Sequence, residues 1–149
     1  MPQIERIIAK GQLVHLTFEQ ADVAASQTAV ALATSEVRDT AASASDQNAA
    51  AGYCIPFGYE IVGIGVTSSA ARTAGTLTVD ATIGGTVTGL QAVLNATTTN
   101  NAYATAGRGT YAGAAGDKVG VKITTAAGWT PTTADIVVSV YLIQYLDGI

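Results

Sequence analysis

Alternation of apolar and polar residues is the strongest pattern in this chain. From residue 76 to 83 every second residue is apolar, and the residues between are Thr or Asp. Side chains of a β-strand point to opposite faces in turn, so this period of two predicts a strand with one buried face. Similar alternation around residues 62–66, 90–94 and 119–123, with Gly and Asn turn signals between, predicts about eight strands in a β-sandwich or jelly roll.

The last apolar segment, residues 135–146, differs because both of its faces are apolar. A sandwich strand normally buries one face, so something else has to cover the second. We expect either an N-terminal arm or another subunit to cover it. The second face carries the predicted interface residues Val137, Tyr141, Ile143 and Tyr145.

The first 50 residues have a different character. Residues 1–20 carry large apolar side chains, among them Ile4, Ile7, Ile8 and Phe18, and residues 13–18 are typical of a strand. Residues 21–51 are rich in Ala, Ser and Thr, and residues 35–52 give no firm prediction. We therefore expect an extended N-terminal arm and connecting segment at residues 1–50, followed by the β-sandwich at residues 51–149. The apolar residues of the arm are predicted to pack on a neighbouring subunit or a larger assembly.

Charge is scarce, at 12% of residues against roughly a quarter in ordinary domains. A surface covered by copies of itself does not need the mixed charge that keeps monomers soluble, so we expect a homo-oligomer. The net charge of −4 and seven scattered basic residues predict that nucleic acid is not a partner. No segment has the roughly 18 apolar residues of a membrane helix, and we predict a protein made in the cytoplasm without a targeting signal.

The chain has few residues of the types that catalyse reactions or bind metal ions. His15 and Cys54 are the only residues of their types, so neither a closed zinc site nor an imidazole-based catalytic set is expected, and Cys54 is predicted to be buried. The acids of the body are Glu60, Asp80 on an exposed strand face, and Asp117 and Asp135 in or beside turns. The sequence therefore predicts no enzyme, no catalytic or metal-binding residue and no cofactor.

Aromatic residues leave one alternative open. Tyr103, Tyr111 and Trp129, with Arg108, could form a platform on which sugar rings stack. Packing or an interface explains these residues better, because they are spread over three loops and aromatic residues are enriched at interfaces.

Several segments resemble a jelly-roll module of bacteriophage virion proteins. The resemblance covers residues 53–146 and is carried by these segments: GYEIVGIGV from Gly58, ARTAGTLTV from Ala71, TGLQAVLN from Thr88, AGDKVGVK from Ala115 and GWTPTTADI from Gly128. It implies a trimeric jelly roll that serves as a capsid decoration or head-fibre subunit in the virion, with the major capsid protein or another virion protein as partner. It brings no catalytic residues. The alternative is a host-glycan or receptor-binding module of a tail or fibre.

Overall fold

A computed structural model describes residues 11–34 and 52–146 of the chain. The described residues contain strands and no helix. The strands are β1 (Gln12–Gln20), β2 (Val30–Ala31), β3 (Tyr53–Cys54), β4 (Tyr59–Ser68), β5 (Leu77–Ile83), β6 (Thr86–Leu94), β7 (Asn101–Thr105), β8 (Ala112–Gly113), β9 (Lys118–Thr125) and β10 (Ile136–Gln144).

Two antiparallel sheets form a sandwich. Sheet A has the order β1-β10-β4-β7, with β8 on β4, and sheet B has the order β2-β9-β5-β6, with β3 on β9. Without β3 and β8, which pair outside the main strand order, sheet A takes the first, eighth, third and sixth of the remaining strands, and sheet B the second, seventh, fourth and fifth. This interleaving is the jelly-roll arrangement of two four-stranded sheets. The predicted all-β jelly-roll sandwich is confirmed.

The position of strand β1 shows that the expected division between an arm and a sandwich at residue 50 is wrong. It pairs with β10 of the same chain along its whole length, from Gln12 opposite Gln144 to Gln20 opposite Ile136. Strand β2 likewise belongs to sheet B through β9. The described part of residues 11–34 is thus integral to the sandwich rather than an arm. Residues 1–10 and 35–51 lie outside the described residues, and for them the arm stays a prediction.

The core lies between the sheets and explains the alternation in the sequence. Leu77, Val79 and Ala81 of β5 are fully buried. They belong to one buried cluster with inward-pointing residues of sheet A such as Val138, which is also fully buried. Phe18 of β1 is fully buried too, and its ring meets the ring of Tyr53 edge-on at 5.5 Å between centroids. The predicted role of Phe18 at a subunit interface is therefore wrong, because its side chain is enclosed within its own chain.

Candidate functional site

The outer face of sheet A carries an exposed apolar strip. The register places Leu13 opposite Ile143, and His15 opposite Tyr141. Leu13 is 62% exposed, Val137 43% and Tyr141 39%, whereas Ile143 is half-buried. Of the predicted interface residues on β10, Val137 and Tyr141 thus face solvent side by side with β1, and Tyr145 follows the strand as a half-buried residue. Ile4, Ile7 and Ile8 lie outside the described residues.

A groove of about 400 Å³ runs along the same face between β10 and β7. Tyr141 lines one side and Tyr103 the other, while Gly63 and Gly65 of β4 line the groove between them. Tyr103 is 81% exposed, the most exposed of the large apolar side chains in the described chain. The remaining lining is uncharged, including Thr67, Thr105, Asn101 and Ser139. The groove is therefore aromatic at its sides and neutral throughout.

Gly63 and Gly65 keep the groove open because they have no side chains. The backbone conformation at these positions would also allow other residues. A Cβ at Gly63 would meet nothing nearer than the Tyr141 ring at 3.6 Å, and one at Gly65 nothing nearer than the Ala102 carbonyl at 3.7 Å. Both are ordinary contact distances, and neither glycine has a left-handed φ. A glycine in a strand interior weakens the strand, so these positions keep a space at some cost in stability.

Tyr141 is held by a neighbour on β1. Its ring stacks on the imidazole of His15, with centroids 4.9 Å apart and planes 11° from parallel. Offset or stacked aromatic pairs of this kind contribute about 0.5–1.5 kcal/mol beyond their buried area. His15 is exposed, and its stacking on Tyr141 positions one side of the groove.

At one end of this face, beyond Gly63 and Tyr141, the carboxylate of Glu60 is buried. Glu60 is 1% exposed and accepts hydrogen bonds from the Arg108 guanidinium and the Gly109 backbone N–H. Arg108 also lies over the Tyr145 ring, 5.8 Å from its centroid, and donates to the Tyr145 hydroxyl at 3.4 Å. Through these contacts Glu60 fixes the loop between β7 and β8 against the end of β10, which is a structural role.

The other acids also hold loops. Asp117 accepts from the Ala114 N–H at 2.9 Å, and Asp135 accepts from the Asp22 N–H at 3.1 Å. Asp80, expected on an exposed face, is only 8% exposed because Gln91 and the Gly89 N–H of β6 hydrogen-bond to its carboxylate.

The prediction that Cys54 is buried is wrong, because its side chain is exposed. Strand β3 has only two residues and lies at the border of sheet B, where it pairs with β9. Within residues 11–34 and 52–146, no group of three His, Cys, Asp or Glu residues is arranged to hold a metal ion. The same residues include no helix long and apolar enough to cross a membrane.

The three aromatic residues of the sugar-binding alternative do not come together. Trp129 is 1% exposed, and its indole N–H donates to the Val23 carbonyl at 3.1 Å, so it belongs to the core and cannot stack on a ligand. Tyr111 is half-buried against the core. Only Tyr103 is available, and its partner across the groove is Tyr141. The sequence analysis did not predict that Tyr103 and Tyr141 border one groove. The signal that could have indicated it is the presence of Gly63 and Gly65 two residues apart on one strand.

Comparison with known proteins gives fold neighbours and no family. No protein-family model matches the chain, and no curated protein matches it. Among solved structures, it is similar to the capsid asymmetric unit of cyanophage Pam1, at 17% identity and a TM-score of 0.44, covering 91% of this chain and 86% of that one. It is also similar to the acid-stable capsid of Helicobacter pylori bacteriophage KHP30, at 10% identity and a TM-score of 0.46, covering 90% and 89%.

A third similar structure is the empty capsid of Triatoma virus, at 10% identity and a TM-score of 0.35, covering 97% of this chain and 92% of that one. All three structures are phage or virus capsids. The jelly-roll assignment itself rests on the strand order of this chain.

Proposed function

We propose that the protein is a structural component of a phage virion, a capsid decoration or head-fibre subunit that binds and stabilises the assembled shell as an oligomer. The trimer comes from the resemblance in the sequence. The partners are copies of the chain and the major capsid protein or another virion protein.

The apolar strip on the outer face of sheet A supports this proposal. Exposed apolar residues that form a contiguous surface mark interaction sites, whereas single ones are ordinary. Leu13 lies diagonally beside Tyr141 across the β1–β10 pair, and Tyr141 and Val137 both line the groove bordered by Tyr103, with Ser139 between them on β10. On a chain with 12% charged residues, such a face is suited to burial against a protein partner.

The described acids and the single histidine have structural or surface positions. Glu60, Asp80, Asp117 and Asp135 each accept hydrogen bonds that close a loop or tie two strands together. An assembly role needs no catalytic group, and we expect no turnover in hydrolase assays. A hydrolytic activity lost on Asp80→Asn or Asp117→Asn would contradict this part of the proposal.

A charge on the strip tests the proposal. Val137→Asp should dissociate the oligomer and abolish co-sedimentation with shells, because an unpaired charge buried in an interface costs several kcal/mol. Val87→Asp is the matched control, because Val87 is 49% exposed on β6 of the opposite sheet. Light scattering gives the mass, and circular dichroism shows that both variants fold.

A second variant guards against a folding artefact. Glu19 lies opposite Val137, so Val137→Asp places two negative charges side by side, whereas Val137→Lys places a favourable pair there. Both variants should lose assembly if the strip is an interface. A wild-type protein that is a 15 kDa monomer and ignores shells, or variants that assemble normally, would refute the proposal.

A second candidate function is recognition of a host glycan or receptor. The observation that favours it is the exposed Tyr103 ring at the edge of a neutral groove, since aromatic faces and hydroxyl groups are suited to sugars. Binding on a glycan array that Tyr103→Ala removes would favour this function over shell binding. An array without signal, together with shell binding, would favour the first.

A further inference from the structure

We propose that the edge strand β7 pairs with β7 of a second copy of the chain, in an antiparallel register centred on Tyr103. The contact joins the A sheets of two subunits across a two-fold axis. It uses backbone groups of β7 rather than the side chains of the strip on β1 and β10, and it does not depend on a virion role.

Strand β7 forms one edge of sheet A and pairs with β4 on one side only. At one end of this pair the Ser68 N–H donates to the Asn100 carbonyl at 2.8 Å, and at the other the Ala106 N–H donates to the Val62 carbonyl at 3.0 Å. The register between them is unbroken. Even-numbered residues of β7 therefore turn their backbone groups towards β4, and odd-numbered residues turn theirs away from it.

The odd-numbered residues leave a row of open backbone groups at this edge. They are Asn101, Tyr103 and Thr105, each with one N–H and one C=O. None of these groups has a hydrogen-bond partner within residues 11–34 and 52–146. Such a row is a template for another strand, and proteins usually protect it with a charge, a proline or a bulge. The sequence of β7, NAYAT, contains none of these protections.

Two other edge strands are partly protected by their own chain. On β1 the Thr17 carbonyl accepts from the Tyr53 hydroxyl at 3.3 Å, and the Glu19 N–H donates to the Ala33 carbonyl at 3.0 Å. The pairing of β6 with β5 has a register irregularity. Irregularities of this kind turn an edge away from further pairing. Strand β7 is thus the edge that is best prepared to accept a strand.

The edge is complementary to itself. When Tyr103 lies opposite Tyr103 of the second copy, Asn101 of each copy lies opposite Thr105 of the other. All three facing pairs then bring outward backbone groups together, and each pair exchanges two hydrogen bonds, about six in all. A shift of one copy by two residues leaves two facing pairs within β7, so the centred register is favoured.

The side chains of β7 fit this register. Tyr103, which is 81% exposed, lies on the two-fold axis, where its ring meets the ring of the second copy. Aromatic cross-strand pairs of this kind stabilise antiparallel sheets. Ala102 and Ala104 are small, and β7 has no charged residue that would meet its own copy. The charged Arg108 beyond the strand is turned back to Glu60 of its own chain.

Cysteine pairs test both the contact and its register, in a Cys54→Ser background. Mild oxidation of the Tyr103→Cys protein should link two chains, because the Cα atoms of a hydrogen-bonded pair are about 5.5 Å apart, within the range of a disulfide. Val87→Cys, exposed on β6 of the opposite sheet, is the control and should give at least tenfold less linked dimer.

A mixture of two variants reads the register directly. In the centred register Thr105 of one copy is about 14 Å along the strands from Thr105 of the other. The Thr105→Cys protein alone should therefore form little disulfide, and so should the Asn101→Cys protein. The two proteins mixed should give at least tenfold more linked dimer, and that dimer should contain one chain of each variant.

A charge exchange tests the two-fold axis without cysteine chemistry. A tagged Tyr103→Lys protein should retain an untagged Tyr103→Glu protein about tenfold better than an untagged Tyr103→Lys protein, because opposite charges then face each other and like charges do not. All of these proteins carry Val137→Asp, so that a contact through the strip does not join them. Circular dichroism shows that each variant is folded.

Three outcomes would overturn the inference. The first is a Tyr103→Cys protein that links no better than Val87→Cys. The second is a Thr105→Cys protein that links as well alone as in the mixture, which would mean that the copies meet in no fixed register. The third is equal retention of the Lys and Glu variants of Tyr103, which would show that no two-fold axis passes through this residue.

Discussion

Truncation at two positions separates the strand from the segment that precedes it. Deletion of residues 1–10 should leave the jelly roll folded, because the sandwich begins at Gln12. Deletion of residues 1–20 should unfold it, because β1 is removed from the edge of sheet A. The sequence alone favours the opposite result for the longer deletion, with a folded body that loses only its attachment arm.

The expected loss follows from what β1 buries. Leu16 is 8% exposed and Phe18 0%. Burying a large apolar side chain contributes about 1.5–3 kcal/mol, so these two residues account for about 3–6 kcal/mol. Their removal also exposes inward-facing residues of β10, such as Val138 and Val140, and the backbone groups that pair with β1. Since domains are stable by about 5–15 kcal/mol, the longer deletion removes most or all of that stability.

Circular dichroism and urea denaturation decide the outcome. The full chain and the 1–10 deletion should show β-structure and one cooperative transition, and the 1–20 deletion should show neither. Phe18→Ala is the intermediate variant, with an expected cost of about 3–5 kcal/mol. A 1–20 deletion that unfolds at the same urea concentration as the full chain would refute the assignment of β1 to the core.

Three further variants test local contacts by urea denaturation. Arg108→Met should lower the free energy of unfolding by about 2 kcal/mol, less than the 3–5 of a fully buried pair because Arg108 is half-exposed; an unchanged midpoint would show that water replaces the guanidinium at Glu60. Burial, and then the charge of Asp117, raises the pKa of Tyr59 from 10.0 to about 12. The neutral phenol is thus favoured in the folded state, and stability present below pH 10 should fall between pH 10 and 12, a fall that Tyr59→Phe should remove. Gly113→Ala should cost about 1–3 kcal/mol, because its Cβ would collide with the Tyr59 ring, and a wild-type midpoint would contradict that packing.

The period of two in the sequence predicted the strands but not their partners. The alternation at residues 76–83 is confirmed by β5, whose residues Leu77, Val79 and Ala81 are buried. The pairing of β1 with β10 joins residues more than 100 positions apart along the chain. Such a long-range contact produces no local sequence pattern. The apolar residues 1–20, which precede a tract of small residues, were therefore predicted to form an arm.

Burial in loops was equally hidden from the sequence. Trp129 follows a turn and precedes Pro131, a pattern typical of an exposed loop. In the structure the loop folds back on Ala74 through backbone hydrogen bonds with Thr130, which places the indole in the core beside Val23. The double-sided apolar pattern of residues 135–146, in contrast, correctly indicated that Val137 and Tyr141 lie on a second face. The groove beside them depends on sheet neighbours, which only the register reveals.

The two outer faces of the sandwich differ in a way that orients the subunit in any assembly. The outer face of sheet B carries Val87 and a larger number of polar side chains, several of which already form hydrogen bonds within the chain. Lys122 donates to the Gly85 carbonyl at 2.7 Å, Asp80 accepts from Gln91, and Thr124 accepts from the Ala29 N–H. Such a face loses little by staying in water and would have to break these contacts to form new ones. Among the described residues, Leu13, Tyr103, Val137 and Tyr141 on the outer face of sheet A are exposed. If the protein docks by one face, the free energy gained is therefore greatest when sheet A turns towards its partners and sheet B stays in water.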